Sequence, residues 1–149
     1  MKGWSVEAAS ALLAGTGSRN HCINAGGDVR VRGRPGPGRL WHVGISHPLH
    51  PGAFTAAVAL TDGAVATSGT AERGLHVFNP HTGRPAAELA SVTVVGPSLT
   101  LADAYATAAL AMGTAAPAWL GSLEGYESYV VDAGGKAWWS PGFDAYRAA

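Results

Sequence analysis

Short apolar runs separated by turns of only a few residues constrain the fold of this chain more than any other feature. The segment 28–32 alternates strictly and places Val29 and Val31 on one face, which is typical of a strand. Connections this short suit antiparallel neighbours, because parallel strands need long crossovers. The same reasoning predicts further strands, at 21–25, 41–45, 54–60, 64–67, 75–78, 92–95, 129–131 and 137–139.

Three of the turns predict particular hairpins, and one of them is the turn at 133–135, across which 129–131 and 137–139 form a closing hairpin. The loop GRPGPG at 33–38 suits a hairpin between the strands on either side of it. Asp62-Gly63 is a strong two-residue turn, and we expect 64–67 to pair back onto 54–60 across it.

Helical spacing is confined to a few segments. Trp4, Ala8 and Leu12 recur at helical intervals before Gly15, which predicts a helix over 4–14. The strongest helical pattern runs from 100 to 112, and a short helix is expected around Trp119. We therefore predict an α+β fold, a mainly antiparallel sheet with a few packed helices, in a single domain over 1–149.

Composition narrows the possible partners and compartments. Apolar residues make up 47% of the chain and charged residues 13%, with a formal net charge of zero. This balance favours a folded core and argues against a nucleic-acid binder, which normally carries a basic face. No apolar run approaches the roughly 20 residues of a membrane span, so the chain as written is expected to be cytoplasmic. A signal or anchor in a preceding segment would instead place it at or beyond a membrane.

Two polar residues on the second predicted helix have two interpretations. Asp103 and Thr107 are four apart, so their oxygen atoms leave the same helix face and suit Mg²⁺. Alternatively, Thr100 and Asp103 have capping-box spacing, and Thr107 would bond back to its own helix. Taken alone, the residues favour the capping interpretation.

The densest polar cluster joins TSG (67–69), Glu72 and HVFNPHTGRP (76–85). His76 lies between two turn-rich segments, where polar loops often carry chemistry, so it is a candidate for catalysis. His42, His47 and His50 lack a partner at metal-ligand spacing, and we interpret them as having no function.

Taken in order along the chain, these motifs resemble the FAD:protein FMN transferases, the ApbE family. The resemblance rests on KGW (2–4), INAGGDV (23–29), WHVGI (41–45), AVATSG (64–69), HVFNPHTGRP (76–85), VTVVGPS (92–98) and ADAYAT (102–107). It implies Mg²⁺-dependent transfer of FMN from FAD to a threonine or serine hydroxyl of an acceptor flavoprotein. A phosphoester forms and AMP is released.

The resemblance also assigns roles to residues. Asp103 and Thr107 match the metal ligands of the family, and His76 matches a histidine expected near the transferred phosphate. Lys2 and Val77 match positions that contact FAD.

Two alternative functions stay open, and departures from the family pattern favour one of them, a domain without catalytic activity. Family members carry a long preceding half, so residues 1–149 resemble the C-terminal portion alone, and we expect the missing half or self-association to cover an apolar surface. Asn79 stands where aspartate is usual, in a position expected to orient His76, and Ala71 lies where a tyrosine is usual. The alternatives are an FAD pyrophosphatase yielding FMN and AMP, and a truncated domain without catalytic activity.

Overall fold

The computed structural model describes residues 2–71, 74 and 76–149, and within them the main element is a six-stranded antiparallel sheet. Its spatial order is β1, β2, β5, β8, β9, β10, which are the strands His21–Ala25, Asp28–Arg32, Gly63–Gly69, Leu89–Gly96, Glu127–Asp132 and Ala137–Trp139. Two smaller antiparallel sheets pair β3 with β4 and β6 with β7; these strands are Trp41–Ser46, Phe54–Leu60, Phe78–Asn79 and Arg84–Pro85. The predicted α+β fold is confirmed.

The large sheet is the middle of three layers. On one face it packs against helices α1, α2 and α3, which are Lys2–Gly15, Leu99–Met112 and Ala116–Leu120. On the other face Val29, Val31 and Val65 pack against Ile45 and Val58 of the β3–β4 sheet. Both faces of the large sheet are therefore covered, which explains why β8 is buried along its whole length.

The two long helices cap each other. The Gly3 N–H in the first turn of α1 donates to Oδ2 of Asp103 at 2.8 Å, and the Leu99 N–H that begins α2 donates to Oε2 of Glu7 at 2.6 Å. The helices approach so closely that a Cβ added to Gly3 would lie 2.6 Å from the Cβ of Asp103. The start of α1 is thus fixed against the carboxylate that the sequence nominates as a metal ligand.

Of the three predicted hairpins, the closing one is confirmed, since Ala137 pairs with Val131 and Trp139 with Tyr129, and the other two are wrong. Strand β2 pairs with β1 and β5, and β3 pairs with β4, so the loop at 33–38 joins two sheets. Asp62-Gly63 likewise leads from the small sheet into the large one. The physical reason is burial, since β3 and β4 must lie on the second face to cover its valines.

Several local predictions also need correction. Helix α2 begins at Leu99 with Ser98 as its N-cap, so the predicted capping box of Thr100 and Asp103 is wrong. The strand predicted at 75–78 is present only from Phe78, and Leu75 lies outside the described residues. Within the described ranges, no helix has the length and apolar character needed to cross a membrane.

Candidate functional site

A cavity of about 320 Å³ opens at one end of the large sheet. The start of α1, the turn before β2, the end of β3, the end of β5 and one face of α2 meet there. The residues that line it are Lys2, Gly26, Gly27, Asp28, Gly44, Ser46, His47, Pro48, Thr67, Ser68, Gly69, Ala71, His76, Ser91, Asp103 and Thr107. Four of the five residues nominated from the sequence, Lys2, His76, Asp103 and Thr107, are therefore brought together.

The two residues on α2 face the cavity one helical turn apart. Asp103 accepts the Gly3 N–H, and the Thr107 hydroxyl lies 3.0 Å from the Ser68 hydroxyl. The capping interpretation pairs Thr107 with its own helix, whereas the structure pairs its hydroxyl with Ser68 on β5. A carboxylate and two hydroxyls at one place are hard oxygen donors of the kind that Mg²⁺ takes when phosphate and water complete its shell.

A second carboxylate, Asp28, faces the same cavity and is 1% exposed. Its Oδ2 lies 3.2 Å from Nζ of Lys2, which also donates to the Gly26 carbonyl at 3.0 Å. Burial raises the pKa of the Asp28 carboxyl, the Lys2 ammonium lowers it in part, and the negative charge of Asp103 raises it again. The cavity thus places two carboxylates close to the Lys2 ammonium.

His76 has its ring orientation set by the backbone. Its Nδ1 lies 3.0 Å from the Gly74 carbonyl, and because a carbonyl can only accept, Nδ1 carries the proton in the neutral ring. The lone pair is then on Nε2, which can accept a proton. Gly74 has a φ of +65°, a left-handed conformation that glycine adopts without steric cost and that brings its carbonyl to the ring.

Asn79 and Val77, two residues near His76, have surroundings different from those that the sequence analysis expects. The side-chain oxygen of Asn79 accepts the His81 N–H at 2.9 Å, so position 79 shapes its own turn and does not orient His76. Val77 is absent from the cavity lining. Its side chain packs against the helix-side core, and its carbonyl accepts the Ala86 N–H at 2.8 Å. Glu72, the remaining member of the polar cluster, lies outside the described residues.

The TSG motif supports the cavity with three different contacts. The Thr67 hydroxyl lies 2.8 Å from that of Thr93 on the neighbouring strand, and Ser68 meets Thr107. Gly69 pairs with Ser91, where a Cβ on the glycine would lie 3.2 Å from the serine Cβ. Sequence reasoning missed Ser91 and His47 as lining residues, because neither belongs to a motif with recognisable spacing.

The fold and this cavity define an α+β protein with a mixed-charge, oxygen-rich site between a helix pair and the end of a sheet. The sequence profile of the ApbE family matches residues 1–131. The FAD:protein FMN transferase of Escherichia coli strain K12 is 30% identical over 158 residues, which cover 97% of this chain and 45% of that protein. The corresponding transferase of Rhodobacter capsulatus is 39% identical over 121 residues, covering 75% of this chain and 23% of that protein. The chain belongs to the ApbE family.

Solved structures agree with this assignment. The ApbE protein of Thermotoga maritima superposes with a TM-score of 0.90 at 29% identity, covering 99% of this chain and 52% of that one. The flavin transferase ApbE of Vibrio cholerae superposes with a TM-score of 0.82 at 28% identity, covering 97% and 50% of the two chains. This chain thus spans about half the length of the relatives that it matches over nearly its whole extent.

Proposed function

We propose that this protein carries the metal- and phosphate-binding part of an FAD:protein FMN transferase. The observation that carries the proposal is the meeting of Lys2, His76, Asp103 and Thr107 around one cavity, although they lie on three separate segments of the sequence. FAD is then the substrate, and a threonine or serine hydroxyl of a flavoprotein is the acceptor. The relatives named as FAD:protein FMN transferases support this assignment.

Magnesium would be held by Asp103 and Thr107. Their oxygens suit the ion, and the repulsion between Asp28 and Asp103 would be relieved by a positive charge in the cavity. When bound, such an ion withdraws charge from phosphate oxygens as a Lewis acid. Among the described residues no three His, Cys, Asp or Glu side chains form a metal-holding group, so substrate phosphate and water would complete the coordination.

His76 would act as the base for the incoming hydroxyl. Its Nε2 lone pair accepts the hydroxyl proton while the hydroxyl oxygen bonds to the phosphorus of the FMN half of FAD. The bond from that phosphorus to the bridging oxygen breaks, and AMP leaves with the bridging oxygen. A positioned general base typically contributes about 10²- to 10⁴-fold in rate.

The test measures binding and transfer separately. FAD is titrated into the protein with and without Mg²⁺, and AMP release is then followed with and without an acceptor flavoprotein that carries a target threonine. We expect Mg²⁺-dependent FAD binding, and covalent flavin on the acceptor after denaturation. AMP and FMN released equally without acceptor would favour the pyrophosphatase, and FAD binding without either reaction would favour a non-catalytic domain. Absence of FAD binding would refute both catalytic functions and favour the truncated domain without catalytic activity.

A further inference from the structure

His47 lies on the wall of the cavity that the β3–β4 sheet contributes, together with Gly44, Ser46 and Pro48. Its side chain is half-buried, and its Nδ1 accepts the Leu49 N–H at 3.1 Å. Because a backbone N–H can only donate, Nδ1 holds the lone pair and the neutral ring carries its proton on Nε2. His47 is thus prepared to donate from Nε2.

The two cavity histidines therefore have opposite tautomers. His76 has its proton on Nδ1, held by the Gly74 carbonyl, and its lone pair on Nε2. His47 has the reverse arrangement, set by Leu49. Nε2 is therefore an acceptor in His76 and a donor in His47.

Nitrogen donors are few among the side chains that line this cavity, whose other polar side chains are hydroxyls and carboxylates. Of the lining side chains, only Lys2, His47 and His76 carry N–H groups. Lys2 contacts Asp28 and the Gly26 carbonyl, and the Nδ1 proton of His76 is taken by Gly74. Within the described residues, no acceptor pairs with Nε2 of His47. FAD is rich in acceptors, with its phosphate oxygens, sugar oxygens and ring carbonyls.

We propose that His47 is a substrate-binding residue whose Nε2–H donates to an oxygen of bound FAD. This deepens the proposed function and rests on it. His50 contacts the ring from outside the cavity, with the two imidazole centroids 4.4 Å apart, and does not itself line the cavity.

Two isosteric variants separate the donor from the rest of the side chain. In His47→Asn the side-chain oxygen replaces Nδ1 and still accepts the Leu49 N–H, but no donor remains at the Nε2 position. In His47→Gln the amide N–H reaches the Nε2 position. His50→Gln is the matched control, because it alters the neighbouring ring outside the cavity.

The experiment is titration of the purified protein with FAD, followed by flavin fluorescence, with a thermal melt of each variant. We expect His47→Asn to raise the Kd for FAD about two- to tenfold, the net effect of one lost hydrogen bond. His47→Gln and His50→Gln should stay close to wild type. Parallel titrations with FMN and with ADP tell which half of FAD holds the acceptor.

The outcomes are distinct. Wild-type binding together with an unchanged Kd in His47→Asn, or with equal losses in the Asn and Gln variants, overturns the role of His47 and leaves the proposed function in place. A wild-type protein that binds no FAD overturns both.

Discussion

Asp103→Asn tests the metal assignment most directly. The substitution removes one negative charge while keeping the size of the side chain and one oxygen that can still accept the Gly3 N–H. Since Mg²⁺ depends on carboxylate ligands, we expect Mg²⁺-dependent FAD binding and transfer to be lost with the fold retained. Thr107→Ala removes only a neutral hydroxyl and should cause a smaller loss.

The effect of Asp103→Asn on stability is expected to be small, for reasons visible in the structure. Asp103 lies on α2, but its carboxylate accepts from the first turn of α1, where loss of a negative charge costs about 0.3–1 kcal/mol through the helix dipole. Relief of the repulsion with Asp28 offsets part of this cost. We therefore expect a net destabilisation of about 1 kcal/mol or less, a fall in Tm of roughly 2–5 °C for a chain of this size.

The assay is a calorimetric titration of Mg²⁺ in the presence of FAD, run beside a thermal melt. Ser98→Ala is the matched control, because it removes the N-cap of the same helix at a typical cost of about 1 kcal/mol and does not line the cavity. Mg²⁺ affinity should fall in Asp103→Asn and stay unchanged in Ser98→Ala. An Asp103→Asn protein that melts lower yet binds Mg²⁺ as wild type does would refute the metal assignment.

Three further predictions concern stability and association. The Ser91 hydroxyl is buried without a hydrogen-bond partner among the described residues, so Ser91→Ala should leave the urea midpoint unchanged or raise it; a lower midpoint would contradict this. Because the pKa of Asp28 is raised on folding, its ionised form costs stability above that pKa and the cost disappears as pH falls through it. Asp28→Asn should therefore gain stability relative to wild type near pH 7, and the difference should shrink towards pH 4; a difference that grows on acidification would count against the shift. Trp4 and Leu12 on α1 are 64% and 74% exposed, so light scattering should show that the protein self-associates. The double variant Trp4→Ser, Leu12→Ser should associate less, and a wild-type protein that is monomeric would contradict the prediction.

Local pattern identified most elements and the closing hairpin of β9 and β10, but not the partners of the other strands. Alternation in 28–32 correctly indicates a strand, yet nothing in those residues specifies that β5, more than thirty positions away, lies beside it. Turn residues favoured local hairpins, whereas burial of the second sheet face required β3 and β4 to leave the large sheet. Pairing is decided by the whole core, which a single sequence window does not contain.

Helix α1 shows the same limit for burial. Trp4, Ala8 and Leu12 have the spacing of a core-facing stripe, but the structure buries Val6 and Ser10 on another side of the helix. Ser10 is tolerated there because its hydroxyl bonds to Nε2 of His21 at 2.8 Å. A buried polar residue with a partner distant in sequence cannot be recognised from helical periodicity.

The residues of the candidate site were easier to nominate from the sequence than the strand pairing, because residues of one motif contact residues of another. Thr67 fastens β5 to β8, Ser68 holds Thr107 on α2, and Gly69 leaves space beside Ser91. Thr93 and Ser91 both lie on β8 and Thr107 lies on α2, so the three consecutive residues join β5 to its neighbouring strand and, through Ser68, to the helix that carries Asp103. A change at Thr67 or Gly69 would displace the cavity wall without touching the proposed metal ligands, whereas a change at Ser68 would remove a direct contact with Thr107. TSG is therefore informative only together with the helix motif, because TSG positions the side chains of α2 that supply the oxygen atoms.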